Sequence, residues 1–332
     1  IHASVFKDEY VYSKFSRLLP LENAELPNFL YFLVYRSTNY CGDAFLECAR
    51  ALNTGFYVAG TGLIYLIAQR FLSKKDASLI ALITLLAPQN IYTSFFMPEA
   101  MYFFAVWGVL FFVIREGGDT TRWGNRIATA LALGLASLVK PHALFLIPAI
   151  AVYPYFLTPS GKHPYRIHQR LMGILAFVGI TLGIKLLVGY LLAGDTGLTL
   201  FGKTYAYHAR EALDQKRTIT ETLYDALFNL KGHLTGLALL YGVLISAGFC
   251  AVGTLTKGQN SDSSACRALF WFTLLLMATL IAMTVGFTTL MVGAGPYETA
   301  ARLHLRYYSF LTPLIFFCSL LARRTPTKTS PK

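Results

Sequence analysis

Charged side chains are scarce in this chain. Asp, Glu, Lys and Arg make up 14% of its 332 residues, while 55% are hydrophobic, against about 25% charged in an average soluble domain. That balance excludes an ordinary water-soluble fold and predicts an integral membrane protein. Signature motifs are absent as well. There is no H-E-x-x-H, G-x-S-x-G, or G-x-G-x-x-G followed by an acid, which removes the common dinucleotide, zinc-protease and hydrolase chemistries. No repeat of 20–50 residues is present, and the only biased tract is the tail from Thr325 to Lys332, which predicts disorder there. The chain begins Ile-His-Ala without an initiator Met or an apolar run before Asp8, so a further transmembrane helix is expected upstream of residue 1.

Cysteine is sparse, at five residues. Cys250 and Cys318 fall in apolar helices as packing residues, and Cys266 begins a helix. Cys41 and Cys48 share one segment. They either form a disulfide or stay apart: a helix from Asp43 to Leu52 would hold the thiols about 10 Å apart, which disfavours the bridge. No Cys/His spacing suggests zinc.

What the chain does have is a series of apolar segments near spanning length. Nine helices are predicted, at 52–72, 77–96, 98–115, 127–139, 142–157, 171–193, 233–255, 267–292 and 306–322. Alternating them across a bilayer puts 15 Lys and Arg on one side and 13 on the other, with Lys185 alone inside a span. Ten of those 13 lie in the two long segments 1–51 and 194–232, where the positive-inside rule has less force, so the 15 mark the cytoplasmic side. Thirteen of the 17 carboxylates then face out. The net charge of +12 is thereby explained by membrane orientation, and no nucleic-acid partner is expected. One domain accounts for residues 1–332: an external first loop at 1–51, a transmembrane bundle at 52–322 and a cytoplasmic tail at 323–332. Within the first loop, aromatics alternate with cations over 11–36, which predicts two amphipathic helices lying in the membrane interface.

Polar residues at the external turns are the functional candidates. Asp8-Glu9 precedes the first apolar material; such a pair is either a helix cap with a first-turn acid or a catalytic carboxylate. Lys140 stands beside Pro141-His142 in a turn too short to need a solubilising charge, and is either a snorkelling lysine or a ligand for an anion. Arg302 and Arg306, four apart around His304, would share a helical face and could grip a phosphate, or serve with Tyr307 and Tyr308 in an interfacial belt. Lys185, an ionisable group in a span, favours the competing function of a transporter or flippase for a lipid-linked or anionic solute.

These elements together resemble the GT-C-type membrane glycosyltransferases, the superfamily that includes the protein O-mannosyltransferases and the lipid A aminoarabinose transferases. Asp8-Glu9 is similar to the acidic pair in the first external loop of those enzymes. Leu26-Pro27-Asn28-Phe29-Leu30-Tyr31 resembles a later Pro-Pro-Leu-Tyr-type element, with Asn28 in place of the second Pro. Met97-Pro98-Glu99-Ala100 and Ser137-Leu138-Val139-Lys140-Pro141 look like further external-turn elements, and Arg306-Tyr307 followed by Pro313 like the start of a late helix. The resemblance implies an all-α GT-C-like bundle of about nine spans and a site on the non-cytoplasmic face of the plasma membrane. It also implies transfer of a sugar from a polyprenyl-phosphate donor to a hydroxyl on a glycan, lipid or protein. Asp8 would be the general base, and Glu9 would orient it, contact the sugar or serve as the base itself, which makes both catalytic candidates. Lys140, Arg302 and Arg306 would neutralise the phosphate, with His142, His304, Tyr307 and Glu99 as further substrate contacts. The loop 194–232 is expected to cover the donor site. No cofactor is expected: Asp8-Glu9 could hold a divalent metal only if Glu99 or Glu298 converged on them.

Overall fold

The computed structural model describes residues 7–115, 123–157, 167–214, 217–255, 261–293 and 298–323. Among them there is no strand. The helices are α1 (Lys7–Ser13), α2 (Phe29–Tyr35), α3 (Phe45–Ala68), α4 (Lys74–Leu86), α5 (Glu99–Arg115), α6 (Trp123–Val139), α7 (Ile147–Leu157), α8 (Ile167–Ala193), α9 (Gly202–Asp214), α10 (Ile219–Leu255), α11 (Ser261–Met291) and α12 (Thr312–Arg323). Short 3-10 segments join several of them. Four helical stretches, Phe29–Ala68, Ile167–Gly197, Ile219–Phe249 and Arg267–Met291, are long and apolar enough to cross a membrane. This is an all-α membrane protein.

Prolines account for the largest departures from the predicted spans. The segment expected as one helix over 77–96 stops at Leu86, because Pro88 forces Ala87 into an extended conformation (φ −67°, ψ 151°) before a 3-10 turn. The segment expected over 142–157 starts as a 3-10 turn, Pro141–Leu146, before α7. Conversely, α10 begins at Ile219 and not near 233, so most of the expected loop 194–232 is helical. Its start carries a readable signal: Thr218 and Glu221 form a reciprocal capping box, Glu221 N–H donating to Thr218 Oγ1 and Thr218 N–H to Glu221 Oε2.

α2, which lies in the segment expected to form two amphipathic helices in the membrane interface, turns its aromatics into the protein. Phe29, Tyr31, Phe32 and Tyr35 of α2 are all fully buried. Tyr31 stacks on Tyr35 at 4.2 Å, and Phe96 meets both rings edge-on. These aromatics bury their faces in the end of the bundle rather than among lipid headgroups. The element still ends in an abrupt reversal: Gly42 has φ +55°, a region that a side chain disfavours. That reversal corrects the expectation for the cysteines. The helix starts at Phe45, the backbone folds back at Gly42, and the Cα atoms of Cys41 and Cys48 lie 6.5 Å apart in a disulfide.

Inside the bundle, small residues let helices approach closely, as membrane helix packing requires. A Cβ on Gly134 of α6 would meet the Thr181 carbonyl and Ile184 of α8 at 2.8–2.9 Å. The antiparallel course of α3 to α6 returns the N-terminus of α5 and the C-terminus of α6 to the same end of the bundle, where α1, α2, α9 and the start of α12 also gather.

Removing the Cys41–Cys48 bridge by a Cys41→Ala/Cys48→Ala double substitution is expected to destabilise the protein by about 2–3 kcal/mol, the entropy of closing so short a loop. Denaturant melts of the purified protein would measure it; an unchanged transition contradicts the assignment.

Candidate active site

The site is built at the end of α6. Helix carbonyls near a C-terminus need outside donors, and here Pro141 has no N–H to give the Ser137 carbonyl. The Lys185 ammonium of α8 approaches that oxygen at 3.5 Å. The Asn28 side-chain amide, fully buried just before α2, donates to the Val139 carbonyl at 2.6 Å, and Lys140 N–H closes the last turn on Ala136 at 3.0 Å. The next side chain along, Lys140, is thus aimed by three contacts from three parts of the chain. Asn28 is the positioning residue that sequence reasoning passed over, since an Asn before an aromatic run carries no signal of such a distant partner.

Lys140 Nζ forms a buried ion pair with Glu99 Oε1 at 2.8 Å. Glu99 is the first residue of α5, so the pair ties two helix ends together. Beyond it, the Tyr307 ring lies 5.0 Å from Lys140 Nζ and 5.3 Å from the Arg306 guanidinium, within range of cation–π attraction. His142 stacks on the other side of the group, its ring 4.7 Å from that of Tyr307. Glu99, Lys140, Arg306 and Tyr307 line a cleft together with Tyr92 and Tyr102. At its rim, Asp8 Oδ2 lies 4.0 Å from Arg306 Nη1, with the Asp8 side chain 60% exposed.

Glu9 faces the other way. It is 4% exposed and accepts the Phe96 backbone N–H at 2.7 Å, which anchors α1 to the turn before α5. The adjacent carboxylates therefore have separate surroundings, one open to the cleft and one built into the scaffold.

Arg302 is the expected site residue that stands apart. Residues 302–304 are not helical, so Arg302 and Arg306 do not share a helical face; Arg302 pairs instead with Glu298 and is partly exposed. His304 does come in, its ring 5.5 Å from that of Tyr307. Burial, together with the positive charges of Arg302 and Arg306, pushes the His304 imidazole down to about 4, so it is neutral at pH 7.

Several buried polar atoms around the cleft lack a hydrogen-bond partner among the described residues: Glu99 Oε2, Tyr102 OH, His142 Nδ1 and Arg306 Nε. Unpaired buried polar atoms are uncommon in native proteins, so these four call for a water or a ligand as partner. No group of three or more His, Cys, Asp or Glu side chains stands close enough to hold a metal ion among the described residues.

A helical membrane bundle with a cationic, carboxylate-rimmed cleft at one end is an architecture suited to chemistry on a lipid-linked substrate. Residues 49–187 match the family model described as dolichyl-phosphate-mannose-protein mannosyltransferase, which bears out the resemblance to GT-C-type membrane glycosyltransferases. The matched stretch contains Glu99, Lys140 and His142, while Arg306 and, at the rim, Asp8 come to the cleft from outside it. No curated protein and no solved structure matches the chain.

The depressed His304 value carries a pH dependence. Unfolded, the imidazole takes a proton near pH 6.5; folded, only near 4. The unfolded state therefore binds more protons in that window, and stability falls as pH drops from 6.5 to 4, by up to about 3 kcal/mol. His304→Gln is expected to flatten this part of a melting-temperature profile; an unaltered slope places the effect elsewhere.

Proposed function

We propose that this protein transfers a sugar, a mannose-type hexose being the first candidate, from a polyprenyl-phosphate carrier to a hydroxyl group on a glycan, lipid or protein, at the non-cytoplasmic face of the membrane. The observation that carries the reading is the juxtaposition of an exposed carboxylate, Asp8, with Arg306 at 4.0 Å, on the rim of a cleft whose interior holds Lys140. The chemistry demands those two features side by side. Asp8 takes the proton of the acceptor hydroxyl, whose oxygen forms a bond to the anomeric carbon. The bond from that carbon to the phosphate oxygen breaks, and polyprenyl phosphate leaves with the electron pair. Arg306 and Lys140 hold the phosphate on which negative charge collects, and do so in a desolvated cleft where a preorganised cation is most effective.

Glu99 moderates this set. By pairing with Lys140 it lowers the net charge of the cleft, so a phosphate is attracted chiefly by Arg306, whose partner Asp8 is solvent-exposed. Glu9 has a positioning role, because its carboxylate is committed to Phe96. If a second carboxylate can replace Asp8, it is Glu99, which keeps one oxygen unpaired. Lys185 gives less support to a transporter than its place in a span suggests, since the carbonyl stranded by Pro141 accounts for it.

Asp8→Asn is expected to leave folding and donor binding close to those of the parent while lowering turnover by about 10²-fold or more. Arg306→Ala should instead weaken binding of the polyprenyl-phosphate donor by about ten- to a hundred-fold. Both are read on nanodisc-purified protein with matched melting temperatures. Normal turnover in Asp8→Asn removes it as the base. Transport of the lipid-linked sugar with no new glycosidic bond would refute the transferase reading altogether.

Two of the three nearby carboxylates, Glu9 and Glu99, are already bound to protein groups, which leaves a poor set of ligands for a divalent cation. Turnover in excess EDTA is therefore expected to match that without chelator. Loss of activity that Mn²⁺ or Mg²⁺ restores would show otherwise.

A further inference from the structure

A second group of buried polar side chains lies between α10, α11 and residues 298–311. Asn229 and His233 are four apart on α10, and Thr284 and Thr288 four apart on α11, so each pair shares a helix face. Tyr308 joins the two faces, its hydroxyl 3.2 Å from His233 Nδ1 and 2.6 Å from Thr284 Oγ1. Asn229 Nδ2 donates to the carbonyls of Ala300 and Arg302 at 2.8 and 3.0 Å, which pins the chain across the seam. His304 connects it to the cleft: its ring lies near those of Tyr307 and Phe287, at 5.5 and 5.9 Å, and His233 is close enough to act on it electrostatically.

Five side chains here are at most 6% exposed yet keep a polar atom without a hydrogen-bond partner among the described residues: Asn229 Oδ1, His233 Nε2, Thr288 Oγ1, Thr289 Oγ1 and His304 Nε2. Thr284 Oγ1 also reaches the Leu280 carbonyl; when its hydrogen goes there, Tyr308 O–H donates to Thr284 and His233 Nδ1–H to Tyr308, which leaves Nε2 as an acceptor, and in the other tautomer Nε2–H is a donor. The seam accordingly offers the acceptor Asn229 Oδ1 and an imidazole nitrogen that accepts or donates with its tautomer, alongside two threonine hydroxyls. None of these groups is charged, and the nearby ions pair with each other, Arg217 with Asp225 and Arg302 with Glu298. The cleft with Lys140 and Arg306 suits an anion; this seam does not.

We propose that the seam is a binding subsite for an uncharged, hydroxyl-rich group, a sugar ring carried either by the lipid-linked donor or by the acceptor. Sugar hydroxyls both donate and accept, which is what an alternation of amide oxygen, imidazole nitrogen and threonine hydroxyl can satisfy. The proposal rests on the glycosyltransferase reading, and splits the substrate between a cationic half for phosphate and a neutral half for carbohydrate.

The test uses the full chain in nanodiscs, as the parent and as Asn229→Leu and Thr288→Val variants. The second is nearly isosteric and covers the case in which the first fails to fold. Three ligands are titrated: polyprenyl phosphate, mannosyl-phosphoryl polyprenol, and methyl α-mannopyranoside with polyprenyl phosphate already bound, the last by saturation-transfer NMR. Polyprenyl phosphate should bind the variants as it binds the parent. A loss of about ten-fold, the worth of one hydrogen bond, confined to the mannosylated lipid assigns the seam to the donor sugar; the same loss confined to the methyl glycoside assigns it to the acceptor. Unchanged binding of all three, or equal weakening of both lipids, overturns the subsite. A parent protein that binds the methyl glycoside through this seam but binds neither lipid would instead overturn the glycosyltransferase reading and leave the subsite standing.

Discussion

A lysine and a glutamate meeting across the ends of two antiparallel helices fix the geometry on which the rest of this molecule depends. Lys140 and Glu99 are both largely buried, and each alone would be an uncompensated charge in a desolvated cleft. Removal of one partner from such a pair typically destabilises by about 3–5 kcal/mol, because the other is left unpaired. The pair therefore ties the start of α5 to the end of α6 firmly, and every other functional group is placed relative to it. Tyr307 packs over the ammonium, His142 packs on Tyr307, and Arg306 follows from the same turn.

The carboxylate at the rim is placed by a second, independent tether. Glu9 is the anchor of α1, and its bond to the Phe96 amide fixes that helix only three residues from Glu99. Asp8, one residue away, then stands exposed at the rim of the cleft beside Arg306. This division of labour between neighbours leaves the reactive group exposed while its backbone is held.

The sequence made the class of the protein readable, because a chain with so little charge and such long apolar runs could not stay folded and dispersed in water. It also located the turns that matter, since a lone Lys beside a Pro and an acid after Met-Pro break an otherwise apolar text. Less of the detail was accessible. α2 reads as amphipathic by composition, but its aromatics are buried by partners, Phe96 among them, that lie dozens of residues away. Helical spacing disfavoured a bridge between the cysteines and suggested a shared face for Arg302 and Arg306; the chain reverses at Gly42 in the first place and is not helical over 302–304 in the second, and a periodicity argument fails wherever its assumed period does not hold. The start of α10, by contrast, was marked by Thr218 and Glu221 and could have been found.

Pro141 and Lys185 bear a relation that neither residue shows alone. The proline strands a carbonyl, and a cation from another helix, far along the chain, comes to it inside the bundle. Restoring an N–H at position 141 would give Ser137 its ordinary helical partner and leave the ammonium buried with nothing to do. Losing the ammonium would leave the carbonyl bare. The two positions are therefore physically linked, in that a substitution at one changes what the other has to satisfy.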